Sequence, residues 1–490
     1  MAVVRTVKLE RPIAKHELQR VGGQFDCDLF TAKGQPPNGC STDQRAALTE
    51  VIKRLEPGHS RIFVTKQVLT DSGQRDALMK TIGLAQDSGA TVNLTWWQGP
   101  YFRGSFRDES SPCKKRTKKA LTGQDGEWPF VGHERMAGFA DVIEEARKPP
   151  NKFDCVKYVT IQNEVNAHDI GLDCTVAVSQ KLYKRLYTLL HEELKSRRDP
   201  LGQKPTLRET VDFVGGDLVQ KNRKGVKNSN QGDWLAFMKR EMKAPLLDGY
   251  SIHVYFGPPK LKAFNFRFID TRMNELRDQI RDLKLELPIY VTEYGVKHTQ
   301  SRNPGLLDGV NMEDTVVSGF EHAWFNALAP QCGCVGLAKW AMYRTDGPER
   351  PFKGWGMICP PSQRFEPLSP TYFVTMLFNK LIDDIGWKAA GLWRSPDKLA
   401  LVSKFADTTG DHHSLVALNR GPAVTLQVQN LKPNFRYSSL IWNRHGATKP
   451  GTVEAHSSVV SNASKVARVT VERDELIAFS TRPLAPPAVA

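Results

Sequence analysis

From about Gly22 to Phe373 the chain repeats one unit eight times: a short β-rich run, a loop, then a segment with apolar residues at three- and four-residue spacing. The β runs are Gly23–Phe30, Arg61–Val64, Thr91–Trp97, Tyr158–Glu164, Phe213–Asp217, Tyr250–Tyr255, Ile289–Tyr294 and Val335–Tyr343. The helical stretches between them are Arg45–Leu55, Gln74–Asp87, Glu134–Ala146, Val178–Ser196, Trp234–Met242, Thr271–Leu283 and Thr315–Ala329, and Ser369–Ile385 follows the last run. A strand that returns parallel to its predecessor needs a crossover, usually a helix, so this alternation predicts parallel βα units. Eight units over about 350 residues fit a closed (β/α)8 barrel, the TIM-barrel form of the α/β class. An open doubly wound sheet would usually carry a glycine-rich phosphate turn after a strand, and neither GxGxxG nor GxxxxGK[ST] occurs.

After about Gly386 the period changes. Leu399–Phe405, Ser414–Asn419, Val424–Val428, Arg436–Trp442, Val466–Val471 and Leu476–Ser480 alternate apolar and polar residues with turn residues between them and no helical period. This predicts an appended antiparallel β-sandwich. The expected organisation is a barrel over residues 21–385 and a sandwich domain over 386–490, with an edge strand contributed by residues 1–20, where Val3–Leu9 is strand-like. The tail Pro483–Ala490 reads as a loose end.

With 40% apolar and 25% charged residues, the 490-residue chain can build a large core, which excludes a disordered or fibrous protein. Uncharged apolar runs such as Cys334–Ala338 fall far short of the ~20 residues that span a bilayer, so no membrane partner is expected. The first ten residues, MAVVRTVKLE, lack the apolar core of a signal peptide. The expected location is cytoplasmic as the sequence stands, or extracellular if a leader has been removed. Eight irregularly spaced cysteines, with only Cys332 and Cys334 close together, read as free and mostly packed thiols.

In a (β/α)8 barrel the site lies at the C-terminal ends of the strands. The fourth run ends Gln162-Asn163-Glu164-Val165-Asn166, and the seventh contains Thr292-Glu293-Tyr294-Gly295. Two carboxylates on strands four and seven would face each other across the barrel mouth. Glycoside hydrolysis needs such a pair, one to protonate the leaving oxygen and one to attack or stabilise the anomeric carbon.

Here the chain resembles the retaining glycoside hydrolases of clan A, nearest to families 5 and 39. Asn163-Glu164 resembles the clan's acid/base motif, and Thr292-Glu293-Tyr294-Gly295 its nucleophile motif. His253-Val254-Tyr255 on strand six, Trp340 on strand eight and Arg61 on strand two follow the clan's pattern, and a small C-terminal sandwich occurs in several member families. Val165 stands where many families carry Pro.

The resemblance implies Glu164 as general acid/base and Glu293 as nucleophile. It implies a 2-hydroxyl contact for Asn163, and it implies that Tyr255 and Arg61 hold Glu293 ionised while Glu164 has a raised pKa. His253 would position Glu164 or the leaving group, and Trp340 would lie under the sugar ring.

Further candidates come from the residues themselves. Trp96 or Trp97, closing strand three, would line a sugar subsite; alternation sends only one of them inward, and Trp97 is taken forward as the candidate. Gln98 would add a hydroxyl contact. Gln162, Asn166 and Asp217 are candidate hydroxyl ligands. The Asn93-Leu94-Thr95 sequon falls inside a strand, and Asp411-His412-His413 reads as a turn without companion ligands. There is no HExxH motif, and catalysis without metal or other cofactor is the expectation.

The net charge is +15. The stretches 99–130, 218–232, 256–267, 294–309 and 343–366, which help form the barrel mouth, hold twenty Lys/Arg against eight Asp/Glu and so carry +12 of it. They read either as solvated loops or as a rim for an anionic glycan, whose encounter would be salt-sensitive. Nucleic acid is not expected, because the basic runs lack interleaved aromatics. The function expected from sequence is retaining hydrolysis of an oligo- or polysaccharide, an acidic glycan among the candidates. Transglycosylation and carbohydrate binding on an idle scaffold remain as alternatives.

Overall fold

Eight parallel strands close on themselves in the computed structural model, which describes residues 3–12, 15–31, 42–97, 132–166, 176–220, 230–256, 266–296, 306–307, 310–311, 315–343, 356–358, 369–383, 386–443 and 452–486. After β1 (Val3–Val7) the barrel runs β2 (Val21–Phe25), β3 (His59–Val64), β4 (Thr91–Trp96), β5 (Val156–Ile161), β6 (Asp212–Leu218), β7 (Gly249–Phe256) and β8 (Ile289–Val296). A small hairpin, β9 (Leu306–Leu307) and β10 (Val310–Asn311), intervenes before β11 (Cys334–Lys339), which pairs with both β8 and β2 to close the ring. Closure brings backbones close: a Cβ on Gly22 would lie 2.2 Å from the His59 carbonyl, so only glycine fits there.

The helices are α1 (Thr42–Leu55), α2 (Ser72–Asp87), α3 (Gly132–Arg147), α4 (Val176–Ser196), α5 (Gln231–Glu241), α6 (Phe266–Asp282), α7 (Val316–Leu328) and α8 (Pro370–Leu381). Their starts are written in cap chemistry. Asp71 accepts from the N–H groups of Gly73 and Gln74, Asn230 from Asp233, Thr315 from Ser318, and Ser369 from Tyr372 with Pro370 in the first turn.

The C-terminal strands are β12 (Trp387–Arg394), β13 (Ala400–Asp407), β14 (His413–Asn419), β15 (Val424–Val428), β16 (Arg436–Asn443), β17 (Thr452–Ala455), β18 (Val459–Val460), β19 (Ala467–Val471) and β20 (Glu475–Ser480). One sheet runs β12-β13-β14-β20-β16-β17, with β18 beside β16, and a second runs β1-β15-β19. The larger sheet is covered on both faces. Ala400, Val402, Leu415, Ala417, Ile477 and Phe479 pack with Val7, Leu426 and Val469 of the small sheet. The opposite face, including Leu401, Phe405, Val416, Leu440 and Trp442, joins the main core with Phe320 of α7 and Leu377 of α8. This double burial explains why β13 and β14 depart from the expected alternation, with apolar residues in succession at Ala400-Leu401-Val402 and Leu415-Val416-Ala417-Leu418.

No described helix is long and apolar enough to cross a membrane. Cys155, Cys332 and Cys334 are buried free thiols, Cys27 is half-buried, and the other four cysteines lie outside the described residues. Asn93 is fully buried and bonds Thr160, and Asp411-His412-His413 follows the tight turn built on Asp407.

Candidate active site

The fourth and fifth barrel strands part at their C-terminal ends. β5 and β6 pair only at Tyr158–Asp212 and Val159–Phe213, which leaves later backbone groups without ladder partners. Two tyrosines of α4 fill the gap. Tyr187 Oη accepts from Ile161 N at 3.0 Å and donates to Val214 O at 2.7 Å, while Tyr183 Oη accepts from Gly216 N at 2.8 Å. Beyond Ile161 the chain turns sharply through left-handed backbone at Gln162 (φ 71°) and Glu164 (φ 49°). The sequence reading carried the strand to Glu164; in the structure Asn163 and Glu164 lie on this turn, aimed over the barrel mouth.

Arg61 is the hub. It is 0% exposed and projects from the middle of β3. Its Nη2 donates to Asn163 Oδ1 at 2.7 Å and lies 3.1 Å from Glu293 Oε2. Its Nη1 donates to Thr292 O at 3.1 Å and lies 2.9 Å from His253 Nε2 and 3.6 Å from Asp217 Oδ2. His253 on β7 is in register with Glu293 on β8. Its Nδ1 stands 3.0 Å from Glu164 Oε1 and 3.6 Å from Glu293 Oε2. The side chains of Glu164 and Glu293 are 15% and 7% exposed.

Burial opposes an imidazolium at His253, but Glu293, Asp217 and Glu164 outweigh it and raise its pKa to about 9. The donor geometry pulls the other way. A guanidinium has donors only, and two N–H groups cannot share a 2.9 Å line, so Arg61 requires Nε2 to accept. We assign the tautomer from this contact: Nδ1–H donates to Glu164 Oε1 and turns that carboxyl. Glu293 departs from the sequence expectation. Burial pushes its pKa up, with Glu164 and Asp217 adding to the rise, against His253 and Arg61, which pull it down.

Other candidates divide. Trp97 is 38% exposed and stacks on Phe63 with ring centroids 4.9 Å apart; Phe63 in turn meets Trp340 edge-on at 5.8 Å. Trp96 points outward and packs on Phe139 of α3. Tyr255 is half-buried two residues above His253 and in register with Gly295. Gln162 donates to Asn163 O, and its Oε1 is buried without a partner. Gln98 lies outside the described residues, as do most of the basic stretches at the mouth.

Two expected hydroxyl ligands are engaged by the protein itself. Asn166 clamps Val219, its amide donating to the carbonyl at 2.7 Å and accepting from the N–H at 3.0 Å. Asp217 is 0% exposed and lies against Arg61 and His253.

Sequence reasoning missed Phe63 and Tyr187. It also missed Thr95, a buried hydroxyl without a partner one pleat above Asn93. For Thr95 the signal was present: β4 alternates, and Asn93 and Thr95 share its inner face. Among the described residues, Glu164, His253 and Glu293 alone bring donor atoms within 4.8 Å of one another in the manner of a cation site. Arg61 touches two of the three and supplies the positive charge there itself.

No family model matches the chain, and no curated protein matches it. Solved structures do. The GH51 arabinofuranosidase from Xanthomonas axonopodis pv. citri superposes with a TM-score of 0.62 at 14% identity, covering 97% of this chain and 99% of that one. The GH30 endoxylanase from Clostridium papyrosolvens C71 gives 0.58 at 12%, covering 97% and 98%. CelM2, a bifunctional glucanase-xylanase from a metagenome library, gives 0.60 at 11%, covering 99% of both. The chain thus shares the barrel-and-sandwich fold of these solved structures over nearly its whole length.

Proposed function

We propose that the protein is a retaining O-glycoside hydrolase, with catalysis in the barrel, residues 21–385, and residues 386–490 as its sandwich partner. The observation that carries this is the meeting of Glu164 and Glu293, from the ends of different strands, with an oxygen of each within 4.8 Å of the other and of His253 Nδ1. Retaining enzymes hold their carboxyl groups about 5–5.5 Å apart, whereas inverting enzymes leave about 6.5–9.5 Å for a water. The spacing supports the retaining route.

In the first step a Glu293 oxygen attacks the anomeric carbon while Glu164 protonates the departing glycosidic oxygen. The C–O bond breaks and a glycosyl ester forms. In the second step Glu164, now ionised, takes a proton from water; the hydroxide attacks the anomeric carbon and Glu293 leaves as carboxylate. His253 Nδ1–H holds Glu164 Oε1 and so fixes the orientation of the acid. Arg61 orients Asn163 toward the sugar 2-hydroxyl and stabilises Glu293 when it leaves. Trp340, Phe63 and Trp97 offer a run of aromatic surface from the cleavage point outward, suited to the apolar faces of consecutive sugars. Tyr255 and Gln162 line the same mouth.

The neighbours of this fold are named as an arabinofuranosidase, a xylanase and a glucanase, so arabinosides, xylosides and glucosides come first in a substrate screen. Uronate-bearing polymers belong in the same screen, because the mouth sequences carry a surplus of twelve positive charges. Release of aryl aglycone by wild type, abolished in Glu293→Gln, is the expected result. Equal activity on neutral and uronate substrates, flat with salt, would remove the acidic-glycan reading.

A further inference from the structure

We propose that Asp217 is a positioning residue of this site: a sealed anion that shares Arg61 with Glu293, faces His253, and thereby governs the charge of the nucleophile and of the imidazole that holds Glu164. The inference rests on the assignment of Glu164 and Glu293 above.

Asp217 meets its cation only at the long end of ion-pair distance. Asp217 Oδ1 accepts from Thr292 Oγ1 at 2.5 Å, and its backbone N–H donates to Ser251 Oγ at 2.7 Å. Oδ2 has no hydrogen bond. It faces Arg61 Nη1 at 3.6 Å and His253 Nε2 at 3.7 Å, just beyond bonding reach. Sealing a carboxylate costs desolvation, which Arg61 offsets here from 3.6 Å. The residue also sits at φ 45°. A left-handed backbone and a sealed carboxylate coincide at the C-terminal end of a barrel strand, where function rather than stability is expected to fix a residue.

The charge balance shows what such a residue does. Arg61 is one cation facing two carboxylates, so with both ionised the inner site is negative by one before Glu164 is counted. Burial disfavours the charged form of Asp217, but Arg61 above all, with the Thr292 hydroxyl and, when its ring is protonated, His253, outweighs it and holds its pKa at about 2. It is therefore a constant anion at working pH. It raises the proton affinity of His253 and Glu293 directly. The other titratable groups that feel it are His59 lower on β3 and Tyr183 and Tyr187 of α4, all buried. Glu164 lies across His253 from it. Without Asp217, Arg61 would bind Glu293 alone, lowering its basicity and its power as a nucleophile.

The test replaces Asp217 by Asn and, separately, by Gly, both of which suit left-handed backbone. Two readouts are taken: the pH profile of kcat/KM, and the titration of the His253 imidazole by 15N shifts, assigned by its loss in His253→Gln. The acidic limb of the profile, which Glu293 sets, should move toward acid by about 1 pH unit, the low end of the shift a neighbouring charge produces. The His253 titration should fall in the same variants. A profile and a titration both superimposable on wild type, whatever the change in rate or melting temperature, would overturn the proposal and leave Asp217 as a structural residue. If wild type hydrolyses no glycoside, the hydrolase reading falls, and the 15N titration alone decides whether Asp217 controls the charge of the site.

Discussion

Arg61 Nη2 and Glu293 Oε2 lie 3.1 Å apart, with both side chains almost wholly removed from solvent. The pair cannot be separated from its surroundings, because the same guanidinium also holds Asn163 and Thr292. Arg61→Lys keeps the charge but loses the fork that reaches all three at once. Arg61→Met removes the cation and leaves Asp217 and Glu293 uncompensated, which is expected to cost about 3–5 kcal/mol of stability in denaturant unfolding. Arg61→Lys should fold yet lose activity, chiefly in kcat. A lysine variant with wild-type kcat would show that the fork is not used.

The pH dependence of hydrolysis follows from the burial of Glu293. Burial raises its pKa above 4.5, the ordinary value. Glu293 must be ionised to attack, so activity is present above that raised value and is lost as pH falls through it. The acidic limb of kcat/KM is expected above pH 4.5. A limb well below that value would mean that Arg61 and His253 outweigh desolvation.

Tyr187 tests whether the parting of β5 and β6 matters to the site. Tyr187→Phe leaves Ile161 N–H and Val214 C=O without their hydroxyl. The cost should be about 1–3 kcal/mol in unfolding free energy. Because Ile161 is the last strand residue before the turn that carries Glu164, kcat should fall as well, with KM changed less. Loss of stability with unchanged kcat would confine the hydroxyl to a structural role.

The barrel floor makes a separate prediction about acid stability. His59 is fully buried between Tyr158 and Tyr290, ring centroids 5.1 and 4.9 Å away, and neither ring nitrogen has a partner. Burial lowers its pKa from 6.5 to about 3. A folded-state value below the unfolded one gives stability that is complete above pH 6.5 and is lost as pH falls toward 3. By pH 5 the loss should be on the order of 2 kcal/mol, at about 1.4 kcal/mol per unit. His59→Phe removes the group that must charge, so its stability should fall less than wild type between pH 7 and 5 in urea titrations. Identical slopes would contradict this.

The alternation of runs and helices was legible because barrel strands are buried on both faces and carry continuous Val, Ile, Leu and aromatic runs. β12 was missed because Trp387–Arg394 holds Ala389, Ala390 and Gly391 at its centre, where a register shift interrupts the pairing with β13. Glu164 and Glu293 were legible as types at strand ends. The hub role of Arg61 was not, since it depends on groups from four other strands or strand ends. Asp217 looked like a ligand because it ends a strand; only the packing of Arg61 and His253 against it shows that it is sealed. Trp96 and Trp97 could be divided only once the inward phase of β4 was known.

The central claim is a covalent intermediate on Glu293. It is tested most directly by incubating the protein with a 2-deoxy-2-fluoro dinitrophenyl glycoside of the sugar found in the screen, followed by intact-mass measurement and peptide mapping. The expected result is one added glycosyl mass, located on Glu293 and absent from Glu293→Gln. Turnover of the parent substrate with no adduct, or an adduct on another residue with Glu293→Gln still active, would contradict the account.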